Sequence, residues 1–166
     1  DRLLGASPRL QARADVAGRK ISITSENLDG AAIKASTAGV LDETGAMRFK
    51  LDWSASGPFR AGPVEISGKA SGTGAVTGKL SAPRADLLAD IEAIDLPRLP
   101  LKNAKLTLSF MRGAGGSSGV VALTAASEYG PAAARSAFSF PRGGVDLSDL
   151  SLDAGGLTAS GSISLR

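Results

Sequence analysis

Apolar and polar residues alternate along most of this chain. In the clearest run, from Met47 to Ala55, each apolar side chain is followed by a polar one. A period of two is typical of a β-strand, because successive side chains point to opposite faces of a sheet. The alternation recurs in further segments, which predict strands that are each apolar on one side: 10–16, 20–24, 64–70, 76–80, 106–110, 138–140 and 157–165.

Turn-forming residues separate these runs at intervals of roughly 10 to 14 residues, the spacing expected of serial hairpins. The sequence therefore predicts about twelve strands, which in one sheet would extend on the order of 55 Å. The glycine-rich stretch from Gly113 to Gly119 is the most flexible-looking part of the chain and predicts a long hairpin loop or a disordered tip. The turn signals lie at 29–30, 43–45, 56–58, 61–63, 82–83, 141–144 and 154–156.

Two segments are harder to assign. Leu87, Leu88 and Ile91 have helical spacing behind a possible cap at Ser81, but 85–91 also alternates between apolar and acidic residues. We favour a strand there, because its neighbours are strands. The segment 96–101 contains two prolines, which lack the N–H donor of a central strand. We interpret it as a bend, an edge segment or an extended connection.

A sheet that is apolar on one side must have that side covered. A second sheet could pack on it, giving a sandwich; the sheet could close into a barrel; or it could form an open trough whose apolar floor holds an acyl chain. Two features favour the trough. Aromatic residues are only 4% of the chain, and many inward positions are small: Ala12, Ala14, Ala35, Ala55, Gly68, Ala70, Gly72, Ala159 and Gly161.

Composition argues against most chemistry. The chain has no His and no Cys, which excludes serine–histidine and thiol catalysis, disulfides and zinc–thiolate sites. Gly72-Thr73-Gly74 lacks the third glycine of a dinucleotide fingerprint, and Gly78-Lys79 is followed by Leu80, unlike a phosphate-binding loop. We expect no enzymatic activity, no cofactor and no metal site.

The charges are dispersed rather than clustered. The net charge is +3, and the Lys and Arg residues form no basic run with aromatic neighbours. We therefore expect no nucleic-acid partner. Asp90 and Glu92 are expected to be solvent-facing charges. A calcium-binding repeat is absent around 146, 149 and 153, so these three aspartates are expected in turns. Trp53, the single Trp, lies on an apolar strand face, where it is either core or a ligand contact.

The 166 residues suffice for one domain, and no apolar run approaches the roughly 18 residues that span a bilayer. The chain begins at Asp1 without an initiator Met and ends at Arg166 within a strand-like pattern. We therefore expect residues 1–166 to be a single segment of a longer protein, without a transmembrane segment of its own.

At three places the sequence resembles the TamB branch of the AsmA-like proteins of Gram-negative bacteria. The residues that carry the resemblance lie in 74–87, in the double-proline segment 96–108, and in the Gly-containing alternation of 157–165.

The resemblance implies an all-β fold of the β-taco type, in which a serially stacked sheet curls into a U around an apolar groove. It implies a periplasmic bridge, anchored in the inner membrane, that conducts phospholipid acyl chains and takes part in outer-membrane biogenesis and protein assembly. Such proteins pair with a TamA-like outer-membrane barrel through a C-terminal region that this chain lacks.

On this interpretation the large inward residues line the groove, where acyl chains gain roughly 0.8 kcal/mol per buried methylene. The alternatives are a closed β-sandwich that binds protein and a structural stalk without a lipid groove. The predicted lining residues are Ile21, Ile23, Ile33, Met47, Phe49, Leu51, Trp53, Val64, Ile66, Leu106, Leu108, Phe110, Phe138 and Phe140.

Overall fold

The prediction of an all-β chain is confirmed. The computed structural model describes residues 9–18, 20–61, 64–96, 99–113, 116–141 and 144–165, and these contain strands and no helix. The strands are β1 (Arg9–Ala17), β2 (Lys20–Asp29), β3 (Ile33–Leu41), β4 (Ala46–Ser56), β5 (Phe59–Ala61), β6 (Val64–Lys79), β7 (Ala82–Asp95), β8 (Leu101–Gly113), β9 (Gly116–Ser127), β10 (Gly130–Phe140), β11 (Val145–Ala154) and β12 (Leu157–Leu165).

All twelve strands belong to one antiparallel sheet of the serially stacked, taco-like kind. Eleven of them follow one another in sequence order from β1 to β12, and the short β5 pairs with β6 beside this path. The ten spacings between the eleven strands extend the sheet by about 48 Å. Among the described strands, β1 and β12 lie at the two ends of this order.

All the described strands belong to this one sheet, so the described residues form no separate second layer against it. The accessible surface is 11001 Å². A compact monomer of 16.7 kDa would expose about 7,600 Å². The large excess is what a single sheet with two solvent-facing sides produces, and a closed sandwich would not show it.

Near one end of β6 and β8 the strands carry β-bulges, which bend a sheet locally, and we call this region of β6, β7 and β8 the corner. Gly68 and Asn103 have positive φ values of 82° and 50° there, and the pairing register shifts on both strands. The Glu92 carboxylate accepts a hydrogen bond of 2.8 Å from the backbone N–H of Lys69, which satisfies a donor that the bulge removes from the ladder.

Residues on both sides of this corner form the hydrophobic core. Ile66, Ile94 and Leu101 pack with Ala70 and Ala104, all under 9% exposed. Phe59, Leu96 and Leu99, from β5 and from the segment before β8, pack against the same cluster. The chain therefore covers its own apolar side at this end of the strands.

The two difficult segments are resolved in favour of strands and a connection. Residues 82–95 form β7, as the alternation predicted. Leu96, Leu99 and Pro100 connect β7 to β8, and Leu101 already opens β8; Pro97 and Arg98 lie outside the described residues.

Two sequence-based expectations are wrong. Gly113 to Gly119 is not a long loop, because β8 continues to Gly113 and β9 begins at Gly116. Gly119 lies inside β9, paired with Phe110 and Phe138. Gly119 is closely packed, because a Cβ there would overlap the ring of Phe138, whereas Ala114 and Gly115, where a disordered tip would lie, are outside the described residues.

The aspartates expected in turns also lie in a strand. Asp146, Asp149 and Asp153 all belong to β11. Asp149 has a φ of 51° at the point where the register with β12 shifts, so it occupies a bulge, where Asp tolerates the left-handed conformation.

Candidate functional site

The candidate site is the apolar face of the sheet, which the pairing register assembles from all eleven serial strands. Residues directly opposite each other on neighbouring strands share a face. One row of such partners crosses the whole sheet and contains apolar residues and glycines alone. In strand order it is Ala14, Ile23, Gly39, Phe49, Val76, Ala85, Phe110, Gly119, Phe138, Leu147 and Ile163.

Aromatic rings on this face lie across neighbouring glycines. A Cβ atom placed on Gly72 would be 2.7 Å from Nε1 and 2.9 Å from Cε2 of Trp53. A Cβ on Gly39 would overlap the ring of Phe49, and one on Gly119 would overlap the ring of Phe138. The rings therefore lie flat along the sheet.

This arrangement changes the meaning of the small inward residues. Gly72 does not leave open room, because the indole of Trp53 occupies it. Gly68 does not belong to the face at all, since it forms the bulge beside Glu92. The glycines instead give the aromatic rings space to lie along the sheet. The rings therefore project less from the apolar face than they would beside larger residues.

Burial of the face changes along the strands. In β8, Leu101 and Ala104 beside the corner are 3% and 1% exposed, Leu106 to Phe110 on this face are half-buried, and Arg112 is exposed. Strands β4 and β7 show the same gradient. The face is thus closed at the corner and open towards the other strand ends.

The face is also open at both edges of the sheet. Val16 on β1 is 71% exposed and Leu157 on β12 is 69% exposed. Two charged residues share this face away from the corner in the part of the chain that the structure describes. Glu26 lies on β2 opposite Ala12, and Arg112 lies near the open end of β8 opposite Ser117.

Trp53 belongs to the core in part, which is one of the two roles that the sequence allowed; its contact with a ligand stays a prediction. It packs against the core cluster, yet it is half-buried on the open face. Its indole Nε1 is buried and has no hydrogen-bond acceptor. An unpaired buried donor costs about 1–3 kcal/mol, so this ring is held in place by contact area and not by a polar partner.

The predicted lining residues fall into four groups. Ile66 belongs to the closed core, and the side chain of Val64 lies outside the described residues. Ile21 and Phe140 are exposed, at 40% and 46%. The other ten are half-buried on the apolar face: Ile23, Ile33, Met47, Phe49, Leu51, Trp53, Leu106, Leu108, Phe110 and Phe138.

The sequence-based list omitted several half-buried residues of the same face. Leu87 could have been found from the alternation of 85–91. Val121 and Leu123 could not, because β9 is apolar on both sides and its pattern does not show which side is covered. The omitted residues are Leu28, Leu41, Val76, Leu87, Val121, Leu123, Val145, Leu147, Leu150 and Leu152.

The opposite face of the sheet carries most of the charged side chains, with some exposed apolar residues such as Leu88 and Met111 among them. The Lys105 ammonium lies 2.7 Å from a carboxylate oxygen of Asp90, and the Ser109 hydroxyl donates a 2.6 Å hydrogen bond to Asp86. These groups are solvent-exposed, so the ion pair contributes little to stability. A shallow hollow of about 550 Å³ beside Ser109 also lies mainly on this side.

The titratable groups with shifted pKa values lie in turns and are explained by them. The Asp42 carboxylate accepts hydrogen bonds from the Thr44 hydroxyl and from the backbone N–H groups of Ala46 and Thr44, which lower its pKa. A hydrogen bond to Glu128 raises the pKa of Tyr129. Neither group points to acid–base chemistry.

Among the described residues, no three His, Cys, Asp or Glu side chains are close enough together to hold a metal ion. The same residues include no helix with the length and apolar character needed to cross a membrane. Comparison of the chain with protein-family models, with curated proteins and with solved structures found no match.

Proposed function

We propose that this chain is a conduit segment that carries phospholipid acyl chains along its apolar face. The observation that supports this most is the uninterrupted apolar row across eleven strands, which no second layer of described residues covers. A face of this size needs an apolar covering, and an exposed apolar patch of several hundred Å² already marks an interaction site in soluble proteins.

The geometry of the face suits a flexible chain that slides. An acyl chain gains roughly 0.8 kcal/mol per buried methylene, wherever along the row it lies. Because the rings of Phe49, Trp53 and Phe138 lie on glycines, they do not divide the apolar face into separate pockets. Neighbouring positions along the face bind an acyl chain with similar affinity. The chain can therefore move from one position to the next without leaving a deep free-energy minimum.

The location of the charges is compatible with this use. The polar side of the sheet carries Asp90, Lys105 and other exposed charges, so it stays in water. A phospholipid headgroup would remain outside the apolar face, at its open end. The ligand chemistry that we infer is therefore an acyl chain with a hydrated headgroup.

The cellular setting that we propose rests on the resemblance to the TamB branch of the AsmA-like proteins. In that setting the chain is part of a longer periplasmic protein, anchored in the inner membrane, that serves outer-membrane biogenesis together with a TamA-like barrel. It acts by binding and guiding lipid, and not as an enzyme.

Photo-crosslinking from the two sides of one strand tests the lipid contact. A photoreactive amino acid at Phe49 or Leu108 should label phospholipid when the purified chain is incubated with phosphatidylethanolamine and phosphatidylglycerol vesicles. The matched positions Lys50 and Ser109 are the next residues on the same strands and face the polar side, so they should not label it.

Equal labelling from both sides would contradict the proposal. Crosslinking of Phe49 and Leu108 to protein rather than lipid in cells would instead indicate that a partner protein covers the face. Native mass spectrometry of the purified chain adds a readout that needs no substitution, since a bound phospholipid appears as a defined mass increase.

A further inference from the structure

Four basic residues that are far apart in the sequence lie together at the open end of the sheet. Arg48 on β4 and Arg84 on β7 are both paired with Thr77, which lies between them on β6. Lys79 is two residues further along β6, and Arg112 on β8 is one residue beyond the partner of Arg84. Three strand spacings separate β4 from β8, so the four residues span about 15 Å across the strands. We call Arg48, Lys79, Arg84 and Arg112 the open-end cations.

The open-end cations border the apolar face from both sides of the sheet. Arg112 shares the apolar face, whereas Arg48, Lys79 and Arg84 alternate onto the opposite face. All four are exposed. Their long apolar stems can follow the surface of the sheet while their charged groups reach the water beyond the strand ends. Positive charge is therefore available where the apolar face opens.

Among the described residues, the open-end cations have no ion-pair partner. The ion pairs that the same residues do contain lie in the half of the sheet with the corner: Lys34–Asp29, Arg60–Glu65 and Lys105–Asp90. The basic side chains near the corner are thus partly neutralised by neighbouring strands, and those at the open end are not.

Three carboxylates lie near the open-end cations and are engaged in other contacts. Asp86 accepts the 2.6 Å hydrogen bond from the Ser109 hydroxyl. Asp42 accepts hydrogen bonds within the turn between β3 and β4, and Glu43 of the same turn also has a contact of its own. These negative charges lower the local potential but leave the four cations without a direct partner.

We propose that the open-end cations bind the phosphate group of a phospholipid and select headgroups with a net negative charge. This inference rests on the proposed function, which places acyl chains on the apolar face and the headgroup at its open end. A guanidinium group binds phosphate through two parallel hydrogen bonds, and Lys adds a positive charge. The headgroup of phosphatidylethanolamine also carries an ammonium group, which the same cations repel. We therefore expect tighter binding of phosphatidylglycerol.

Isothermal titration calorimetry with dihexanoyl lipids, which stay monomeric in water, compares headgroups on one acyl part. At low ionic strength, dihexanoyl phosphatidylglycerol should bind about 10-fold more tightly than the phosphatidylethanolamine analogue. It should exceed dihexanoylglycerol, which has no phosphate, by a similar factor. In about 1 M salt, where the Debye length is roughly 3 Å, the preference should disappear.

The outcomes separate this inference from the proposed lipid contact. Equal affinity for the three lipids at low ionic strength would overturn the headgroup selection and leave the lipid contact standing, whereas no binding of any of them would overturn both. Displacement of phosphatidylglycerol by an equal concentration of inorganic phosphate would show a phosphate site that does not need the acyl chain. Tighter binding of a single-stranded oligonucleotide would indicate a nucleic-acid surface. Either result would overturn the proposal.

Two double variants test the location of the site. Arg84→Gln with Arg112→Gln should lower the affinity for phosphatidylglycerol to about that for phosphatidylethanolamine. Lys69→Gln with Lys102→Gln is the matched control, because it removes the same charge from exposed positions of β6 and β8 beside the corner, and it should keep the preference. Far-UV circular dichroism verifies that both variants are folded. An equal loss of the preference in the two variants would refute a local site, since net charge alone would then explain it.

Discussion

Gly72→Ala tests whether the apolar face depends on rings that lie on glycine. The added Cβ would be 2.7 Å from Nε1 of Trp53 and would overlap the carbonyl oxygen of Leu88 on β7. Neither neighbour can move easily, because the indole packs against the core cluster and the carbonyl belongs to the backbone. Gly74→Ala is a matched control on the same strand and face, where the nearest atom would be 3.3 Å away.

The two substitutions should differ clearly in stability. Overpacking costs about 1–3 kcal/mol, and replacing Gly by Ala returns about 0.4–1 kcal/mol by restricting the unfolded chain. We expect Gly72→Ala to lower the free energy of unfolding by about 1.5 kcal/mol. Gly74→Ala should change it by less than about 0.5 kcal/mol, since its contacts are near the ordinary range.

Urea denaturation followed by tryptophan fluorescence measures both effects, because Trp53 is the single Trp of the chain. With a denaturant slope of about 2 kcal/mol per molar, Gly72→Ala should lower the midpoint by about 0.7 M. The native emission should also move to longer wavelength as the indole is displaced towards water. Equal midpoints for Gly72→Ala and Gly74→Ala, with unchanged emission, would refute the ring-on-glycine packing.

Two further substitutions test individual groups. Trp53→Phe removes the buried Nε1–H that has no acceptor, so its free energy of unfolding should stay within about 0.5 kcal/mol of the original, whereas Trp53→Ala should cost about 3 kcal/mol. Urea denaturation of these variants is followed by far-UV circular dichroism, because they lack the single Trp. An equal loss for both would show that Nε1 has a partner. NMR titration should place the pKa of Asp42 below its ordinary value of 3.8. The ionised Asp42 carboxylate therefore stabilises the folded chain at pH values above its unfolded-state pKa, and this stabilisation is lost as the pH falls through the lower folded-state pKa. Thr44→Val removes the hydroxyl that is the main cause and should raise the Asp42 pKa; an unchanged value would contradict this cause.

The sequence predicted the strands well because alternation is a local property. Met47 to Ala55 alternates strictly and lies within β4, and the alternation at 85–91 outweighed the helical spacing of Leu87, Leu88 and Ile91. The shared face of distant residues such as Phe49 and Phe138 also followed, because serial antiparallel pairing keeps like sides together.

The predictions failed where a residue's role depends on its neighbours in other strands. Gly119 looked like part of a flexible loop, but it is a strand residue beneath the ring of Phe138. Ile66 looked like a groove residue, but the corner at Gly68 brings it into a closed core. No local pattern shows where a sheet bends, since the bend needs irregularities on more than one strand, here at Gly68 on β6 and Asn103 on β8.

The serial order of the strands has a consequence for how the chain folds. Every pairing joins strands that are adjacent along the ladder and close in sequence, so each hairpin closes a short loop and contact order is low. Such a sheet can lose its outer strands one at a time, like the end units of a repeat array. Amide hydrogen exchange should therefore be fastest in β1 and β12 and slowest in β6, β7 and β8, where the corner holds the core together.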